Sequence, residues 1–277
     1  MTDASGALIE ATRRLEGASD TPRLDAELLL AHALGLERNA LLLRLRDLAA
    51  PSGYWALVER RERHEPVAYI IGHHYFWDLK LAVSPAVLIP RADSETLIEA
   101  ALDYFAERPP QRILDLGTGS GALLLAALSC FPKASGTAID ASCAALEVAR
   151  SNAAALGFGD RAACKLANWR DDGWSDGLGG FDLILCNPPY VETTAELAPQ
   201  VRDHEPASAL FAGADGLDDY RLLIPQISAL LNPGGAAIFE LGQGQDVTVA
   251  AIAAAAGFAS KIRRDLSGIA RALILTA

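Results

Sequence analysis

Cysteine, basic residues and long apolar runs are all scarce in this 277-residue sequence, and each scarcity removes a class of protein. The four cysteines, Cys130, Cys143, Cys164 and Cys186, stand far apart with no C-x-x-C pair. That spacing argues against a zinc site or a disulfide scaffold and fits a reducing cytosol. Cys186 lies in an apolar stretch and reads as a packing thiol rather than a nucleophile. No apolar run reaches the roughly 18–20 residues that span a bilayer, so no membrane segment is expected. The richest candidate, AAIAAAAGF at 250–258, reads as a buried helix. The opening MTDASGALIEATRRL lacks a basic stretch followed by an apolar one, and no secretory signal is expected.

Positive charge is short throughout. Lys and Arg number 24 against 35 Asp and Glu, a formal net charge of −11. Residues 1–80 hold ten basic and twelve acidic side chains, so the remainder carries −9. So acidic a region is poorly suited to tracking a phosphate backbone, where basic groups supply most of the affinity. What the chain has in quantity is apolar surface: 51% of residues are hydrophobic, ample for one large α/β domain and a smaller companion.

Three regions are expected. Residues 1–73 read as a small helical bundle. Thr21-Pro22 resembles a helix cap followed by proline at the first helical position. DAELLLAHALGL (25–36) then carries apolar residues at helical spacing up to Gly35, and RNALLLRLRDL (38–48) repeats the pattern. A further helical stretch at 54–71 bears Arg60, Arg61 and Arg63, read as a solvated face. Residues 74–92 alternate and place Asp78 at a turn, which predicts a β-hairpin linker with strands over about 74–89. From Asp93 a helix is expected to about Glu107, and strands then alternate with helices through 93–277. Strands separated by helix-length segments imply a mostly parallel sheet with helices on both faces. Ligands of such sheets bind beyond the carboxyl ends of the strands.

ILDLGTGSGALL (113–124) sets Asp115, Gly117, Thr118, Gly119, Ser120 and Gly121 between the first strand of that alternation and a helix. Glycines let the backbone turn sharply and approach a ligand. The third glycine follows the second by two residues, not by the three of a dinucleotide fingerprint. This D-x-G-x-G-x-G loop resembles the first motif of S-adenosylmethionine-dependent methyltransferases of the Rossmann-like class. Asp140 ends the next strand, where a carboxylate has two acceptor oxygens for a ribose diol; it is also placed to cap the helix starting near Ala141. Asn168 and Trp169 follow the third strand, with the indole suited to stacking on adenine and its polar neighbour to the exocyclic amine.

In FDLILCNPPYVE (181–192) an apolar strand runs into Asn187, Pro188, Pro189 and Tyr190. Two prolines fix two φ angles and remove two backbone donors. A carboxamide NH₂ is a poor nucleophile because its lone pair is delocalised, the same resonance that flattens the peptide bond. To aim it, acceptors must hold both N–H bonds. The Asn187 side-chain oxygen and the Pro188 carbonyl suit that task, and Tyr190 offers a flat wall. The pattern resembles that of amino-methyltransferases acting on planar nitrogen, in DNA adenine or in protein glutamine.

Two more stretches narrow the resemblance. VLIPRADSETLIE (87–99) and VRDHEPASALFAGADGL (201–217) are similar to blocks of the HemK/PrmC family, the peptide chain release factor glutamine methyltransferases. Ala92 and His204 depart from the usual residues. Likeness to that family covers nearly the whole chain. It implies a class I, seven-stranded methyltransferase sheet whose last strand is antiparallel, and S-adenosyl-L-methionine as donor with S-adenosyl-L-homocysteine as product. It also implies a protein-glutamine N-methyltransferase whose partner is a class-1 release factor, methylated at the Gly-Gly-Gln glutamine, with the N-terminal helices recognising that substrate. Cofactor contacts are expected from the loop Gly117 to Gly121, Asp140, Trp169 and Asn187, and the substrate glutamine against Asn187 to Tyr190. A cytoplasmic monomer is expected, with no metal, no direct nucleic acid partner and no membrane. A methyltransferase of a ribosomal large-subunit protein shares the same residues and stays open as an alternative. A DNA adenine enzyme is disfavoured by charge and by the lack of a target-recognition insert. Arg91 and Glu95 line the site or pair with each other, and Arg202 and Glu205 are left open.

Overall fold

The computed structural model describes residues 3–277. They form two compact units, a helical one comprising the chain up to His73 together with Leu197–His204, and a larger one comprising His74–Glu196 and Glu205–Ala277. The 93–277 span expected to be continuous is thus interrupted by eight residues that group with the helices.

The helical unit contains α1 (Ala4–Leu15), α2 (Pro22–Leu34), α3 (Arg38–Arg44), α4 (Tyr54–Glu62) and α5 (Val67–Ile71), and residues 197–204 add the one-turn helix α9 (Pro199–Arg202). Helix α2 starts at Pro22, but the Thr21 hydroxyl does not cap it and donates instead to Asp25 Oδ1 at 3.2 Å. Gly35 closes that helix with φ 66°, a conformation glycine adopts without Cβ strain. Leu8, Leu29, Leu30, Leu41, Tyr54 and Val58 make the core, and the Tyr54 hydroxyl donates to the Ala26 carbonyl at 3.0 Å. Of the arginine run, Arg63 is exposed and Arg60 half-buried, but Arg61 is not on a solvated face. Tyr54, Val58 and Arg61 recur at helical spacing on the buried stripe of α4, so Arg61 is carried inward and is 4% exposed. It is paired there, donating to Asp25 Oδ2 at 2.7 Å and to Gln200 Oε1 at 3.1 Å.

The larger unit opens with a two-stranded hairpin, β1 (His73–Phe76) and β2 (Leu79–Ala82), shorter than the expected span because residues 83–91 follow an irregular path. Its turn holds Trp77 at φ 55°, pinned by the Trp77 N–H donating to Glu95 Oε1 at 2.7 Å. Helix α6 (Glu95–Tyr104) is likewise shorter than expected, since Ala92–Ser94 form a 3-10 turn. Then follow β3 (Arg112–Leu116), α7 (Ala122–Cys130), β4 (Ser135–Asp140), α8 (Cys143–Ala155), β5 (Ala162–Leu166) and β6 (Phe181–Cys186). The chain ends with α10 (Asp218–Ile227), β7 (Leu231–Glu240), α11 (Asp246–Ala255), β8 (Ala259–Arg264) and β9 (Ala270–Thr276).

Seven strands pair in the order β5-β4-β3-β6-β7-β9-β8, all parallel except β9, which runs antiparallel to both neighbours. Strand side chains alternate between two cores. Ile113, Leu183, Leu185 and Ile238 face α6 and α7; Leu114, Leu116, Ile184, Cys186 and Phe239 face α10 and α11. Helix α7 is buried from Ala122 to Leu128. Helix α11 is not the fully buried helix expected: Val249 and Ala253 are buried and Ala250 and Ile252 half-buried against the core, while Ala251, Ala254 and Ala255 meet solvent.

Register decides what meets at the sheet's carboxyl edge. Leu116 pairs with Ile139 on one side and with Cys186 on the other, and Cys186 pairs with Phe239. One residue further along these four adjacent strands come Asp140, Gly117, Asn187 and Glu240. They stand at one level.

Candidate active site

A cavity of about 650 Å³ opens above that edge, within the range of small-molecule sites. Gly117, Thr118, Gly119, Ser120, Asp140, Asn168, Trp169, Asn187 and Pro189 line it, so the structure brings most of the expected site residues together. The hairpin linker and the 3-10 turn after it supply a second wall through Phe76, Val87, Pro90 and Ser94, and the segment after the proline motif a third through Ser208 and Phe211.

Each glycine of the loop answers a different constraint. Gly117 has φ 71°, and a Cβ there would sit 3.1 Å from the Trp169 ring, so the indole lies over bare backbone. Gly119 has φ 53° and faces open space on the cavity side. Gly121, outside the cavity lining, has φ 86° and its missing Cβ makes room for Leu125 and for Ala149 of α8. Asp115 also stays out of the cavity. It is 1% exposed beneath the loop, and Thr118 Oγ1 donates to its Oδ2 at 2.6 Å. Burial pushes its carboxyl up to about 7, against the lowering effect of the Thr118 hydrogen bond. Asp115 therefore acts from below, holding the loop. Asn152 of α8, which sequence reasoning missed, ties the loop to the linker by donating to the Ser120 carbonyl at 2.8 Å and exchanging two hydrogen bonds with Ala82.

Asp140 Oδ2 accepts from the Gly119 N–H and Oδ1 from the Ser142 N–H, both at 2.9 Å. These contacts leave further lone pairs on a carboxylate that borders the cavity. The cap of α8 is Ser142, whose hydroxyl accepts from Ala145 N–H at 3.2 Å, rather than Asp140. Asn168 Oδ1 accepts from Arg170 N–H at 3.0 Å, which turns its oxygen into the local turn. The oxygen keeps a second lone pair, and Asn168 borders the cavity.

Trp169 is held by a residue that no sequence motif marked. Its Nε1–H donates to Asp219 Oδ1 at 2.8 Å, and the Arg170 guanidinium meets the same oxygen at 2.7 Å. Asp219 is 1% exposed and its Oδ2 has no partner in the protein.

At the proline motif, Pro188 and Pro189 are buried while Asn187 and Tyr190 are half-buried. Asn187 and Pro189 border the cavity; Pro188 and the Tyr190 ring do not. The Asn187 Nδ2 donates to Ser94 Oγ at 3.3 Å, and Ser94 in turn donates to Glu240 Oε2. The Tyr190 hydroxyl donates to Glu240 Oε1 at 3.1 Å. Its phenol is pushed well up from the usual range, chiefly by burial. Gln245 braces the corner from behind, its Nε2 donating to the Tyr190 carbonyl at 3.1 Å. Cys186, one step earlier, is fully buried and its thiol is pushed up by burial, as a packing thiol should be.

Arg91 does not pair with Glu95. It meets Glu205, a carboxylate 6% exposed that also accepts from the Ile89 N–H at 3.3 Å, while Glu95 holds the hairpin turn. Arg202 pairs with its exposed neighbour Asp203.

A glycine loop, a carboxylate and a covered indole around one cavity at the carboxyl edge fit an adenosyl donor: the loop leaves room for it, and Asp140 retains free acceptor capacity. Fold and site together define a Rossmann-like class I S-adenosylmethionine-dependent methyltransferase with an added helical unit. The solved structures of a methyltransferase from Pyrococcus furiosus (19% identity, TM-score 0.51, covering 72% of this chain and 89% of that one) and of the hMettl16 catalytic domain (14%, 0.55, 72% and 75%) share that fold. Residues 6–72 match the family model described as the PrmC N-terminal domain, and residues 93–204 the methyltransferase small domain. The chain is 44% identical to the release factor glutamine methyltransferase of Rhodospirillum rubrum, over 92% of this chain and 79% of that one. With that of Bradyrhizobium diazoefficiens it shares 42% over 97% and 95%, and with that of Caulobacter vibrioides 43% over 92% and 89%. The chain belongs to the release factor glutamine methyltransferase family.

Proposed function

We infer that this chain transfers a methyl group from S-adenosyl-L-methionine to the side-chain amide nitrogen of the glutamine in the Gly-Gly-Gln motif of class-1 release factors. The observation that carries this reading is the Asn187 carboxamide, whose NH₂ is occupied by Ser94 while the residue borders the cavity that the glycine loop and Asp140 also line.

When bound, the donor supplies an activated methyl on a sulfonium. Gly117 to Ser120 would hold its amino-acid end, Asp140 its ribose hydroxyls and Trp169 its adenine. The protein's own work is orientation. Asn187 Oδ1, at the cavity border, would accept one N–H bond of the glutamine amide, and the Pro188 carbonyl, behind that border, is the acceptor read for the other, which together would turn the nitrogen lone pair toward the methyl. Because two prolines remove torsional freedom, these acceptors need little rearrangement as the reaction proceeds. As the nitrogen gains a bond it becomes acidic, and the same oxygens, hydrogen-bonded to its N–H bonds, help pass the proton it gives up on to solvent.

The helical unit is read as the part that recognises the release factor, and a cytoplasmic monomer as the working form. No helix among the described residues is long and apolar enough to cross a membrane. The net charge of −11 favours a protein over a nucleic acid substrate.

Labelled methyl donor offered with a purified release factor, duplex DNA and ribosomal subunits in parallel tests the reading. Label is expected in the release factor alone and lost when the Gly-Gly-Gln glutamine is changed to alanine. Label in DNA, or label that survives that change, overturns it.

A further inference from the structure

Glu240 is a buried acid at the carboxyl end of β7 that the transfer chemistry does not itself use. It ends the strand beside β6, one register step past the pair Cys186 and Phe239, which sets it level with Asn187. It is 1% exposed, yet both carboxylate oxygens are occupied: one takes the Ser94 hydroxyl and the other the Tyr190 hydroxyl. Ser94 accepts in turn from Asn187 Nδ2. An ionised carboxylate only accepts, so both hydroxyl hydrogens are drawn to it and Ser94 Oγ presents a lone pair to Asn187. A carboxamide facing a lone pair must offer its NH₂. Its oxygen is thereby turned the other way.

We propose that Glu240 is the positioning residue of the amide clamp, fixing through Ser94 which end of the Asn187 carboxamide faces the substrate, and through the Tyr190 hydroxyl the proline corner that carries Asn187. The inference rests on the function assigned above and adds how the clamp acquires its polarity.

The device has two states. With Glu240 protonated, the acid donates to one of its two hydroxyls. If that hydroxyl is Ser94, the Ser94 hydrogen is released toward Asn187 and favours the flipped amide, which then shows NH₂ to the glutamine NH₂. Two donors face each other and the grip is lost. Burial pushes the Glu240 carboxyl up to about 7, so both states lie within reach of ordinary assay conditions. The Arg271 guanidinium on β9 and the hydrogen bonds from Ser94 and Tyr190 favour the ionised form, and Asp93 on the 3-10 turn opposes it. Arg271 is itself shared with Asp93 at 2.8 Å and Asp265 at 3.4 Å. Cys186 of β6 and Tyr220 of α10 also sense its charge, and the Tyr220 hydroxyl donates to the Glu240 backbone carbonyl at 2.7 Å.

Glu240→Gln is the sharpest test because it keeps shape and replaces one acceptor with a donor that cannot titrate. Methyl transfer to a purified release factor is followed with the full chain at saturating donor, from about pH 5.5 to 9. Wild type should lose turnover as the pH falls through the Glu240 range. In Glu240→Gln, kcat should fall by about ten- to a hundredfold, as expected for a misdirected hydrogen bond to a charged group. Its acid limb should vanish, with donor affinity and release-factor KM within about twofold of wild type. Ser94→Ala should lose turnover similarly and Ser94→Thr, which keeps the hydroxyl, should restore most of it. That pair decides the matter if Glu240→Gln does not fold. Wild-type turnover and an unchanged acid limb in Glu240→Gln, or equal activity in the two Ser94 variants, overturn the inference while leaving the assigned reaction standing. Wild type that transfers no methyl to the glutamine overturns the assigned reaction instead.

Discussion

The indole N–H of Trp169 donates to Asp219 across 2.8 Å, so a loop beyond β5 is fixed to a helix fifty residues later in the chain. One carboxylate oxygen serves both Trp169 and Arg170, and the ring it steadies lies against Gly117. The indole proposed to cover the adenine thus depends on an acid outside every recognised motif.

Asp219→Ala should weaken donor binding about tenfold, since a buried hydrogen bond to a charged group contributes roughly 1.5–3 kcal/mol and its loss frees the indole. Titration of the donor by calorimetry checks this. Donor affinity equal to that of the wild type would show that Trp169 holds its place without Asp219.

Asn187→Ala should lower turnover by about two or more orders of magnitude, the cost of removing a preorganised hydrogen-bonding group, while the donor still binds. Single-turnover transfer and donor binding, measured on the same preparation, separate the two effects. Near-normal turnover would contradict the amide-grip account.

The loop glycines should respond unequally in donor binding and in stability. Gly117→Ala pushes a methyl to 3.1 Å from the Trp169 ring at φ 71°, so both stability and donor affinity should fall. Gly119→Ala meets no protein atom within 4 Å and should cost about 1–2 kcal/mol of backbone strain at most. Because its methyl points toward open space on the cavity side, the larger loss should be in donor affinity. Thermal melts with and without donor distinguish the pair.

Asp115 and Glu240 make stability fall with rising pH. Burial pushes both carboxyls up to about 7 in the folded chain, from ordinary values near 4. Between those limits the folded state binds more protons than the unfolded one, so the contribution is present at lower pH and lost as pH rises through about 7. At about 1.4 kcal/mol per pKa unit, and with about two of those units lying above pH 5, Asp115→Asn should remove a dependence of roughly 2–3 kcal/mol over that range. Urea unfolding of wild type and variant between about pH 5 and 8 measures it. Parallel curves for the two would refute the assignment.

The glycine loop, Asp140 and the Asn187-Pro188-Pro189-Tyr190 corner were legible because each is a local pattern, a strand end followed by residues whose backbone needs are visible in their types. Most of the sheet's strands were legible for the same reason. The Arg60, Arg61, Arg63 run misled because charge was read without phase: Arg61 falls on the stripe of Tyr54 and Val58, and a charge is carried inside where Asp25 meets it. Arg91 and Glu95 looked like partners by proximity, but the irregular linker directs Arg91 to Glu205 and Glu95 to the hairpin turn.

The sequence by itself determined the sheet's α/β alternation, the donor loop and the stiffened carboxamide, since glycine, proline and a strand's apolar run each impose their conformation over a few residues. Only the tertiary structure decided that Ser94, Asp219 and Glu240 belong to the same site. Strand register and the crossing of helices over the sheet bring together residues separated by 146 positions, as with Ser94 and Glu240. Backbone pairing sets that proximity, and no local residue pattern encodes it.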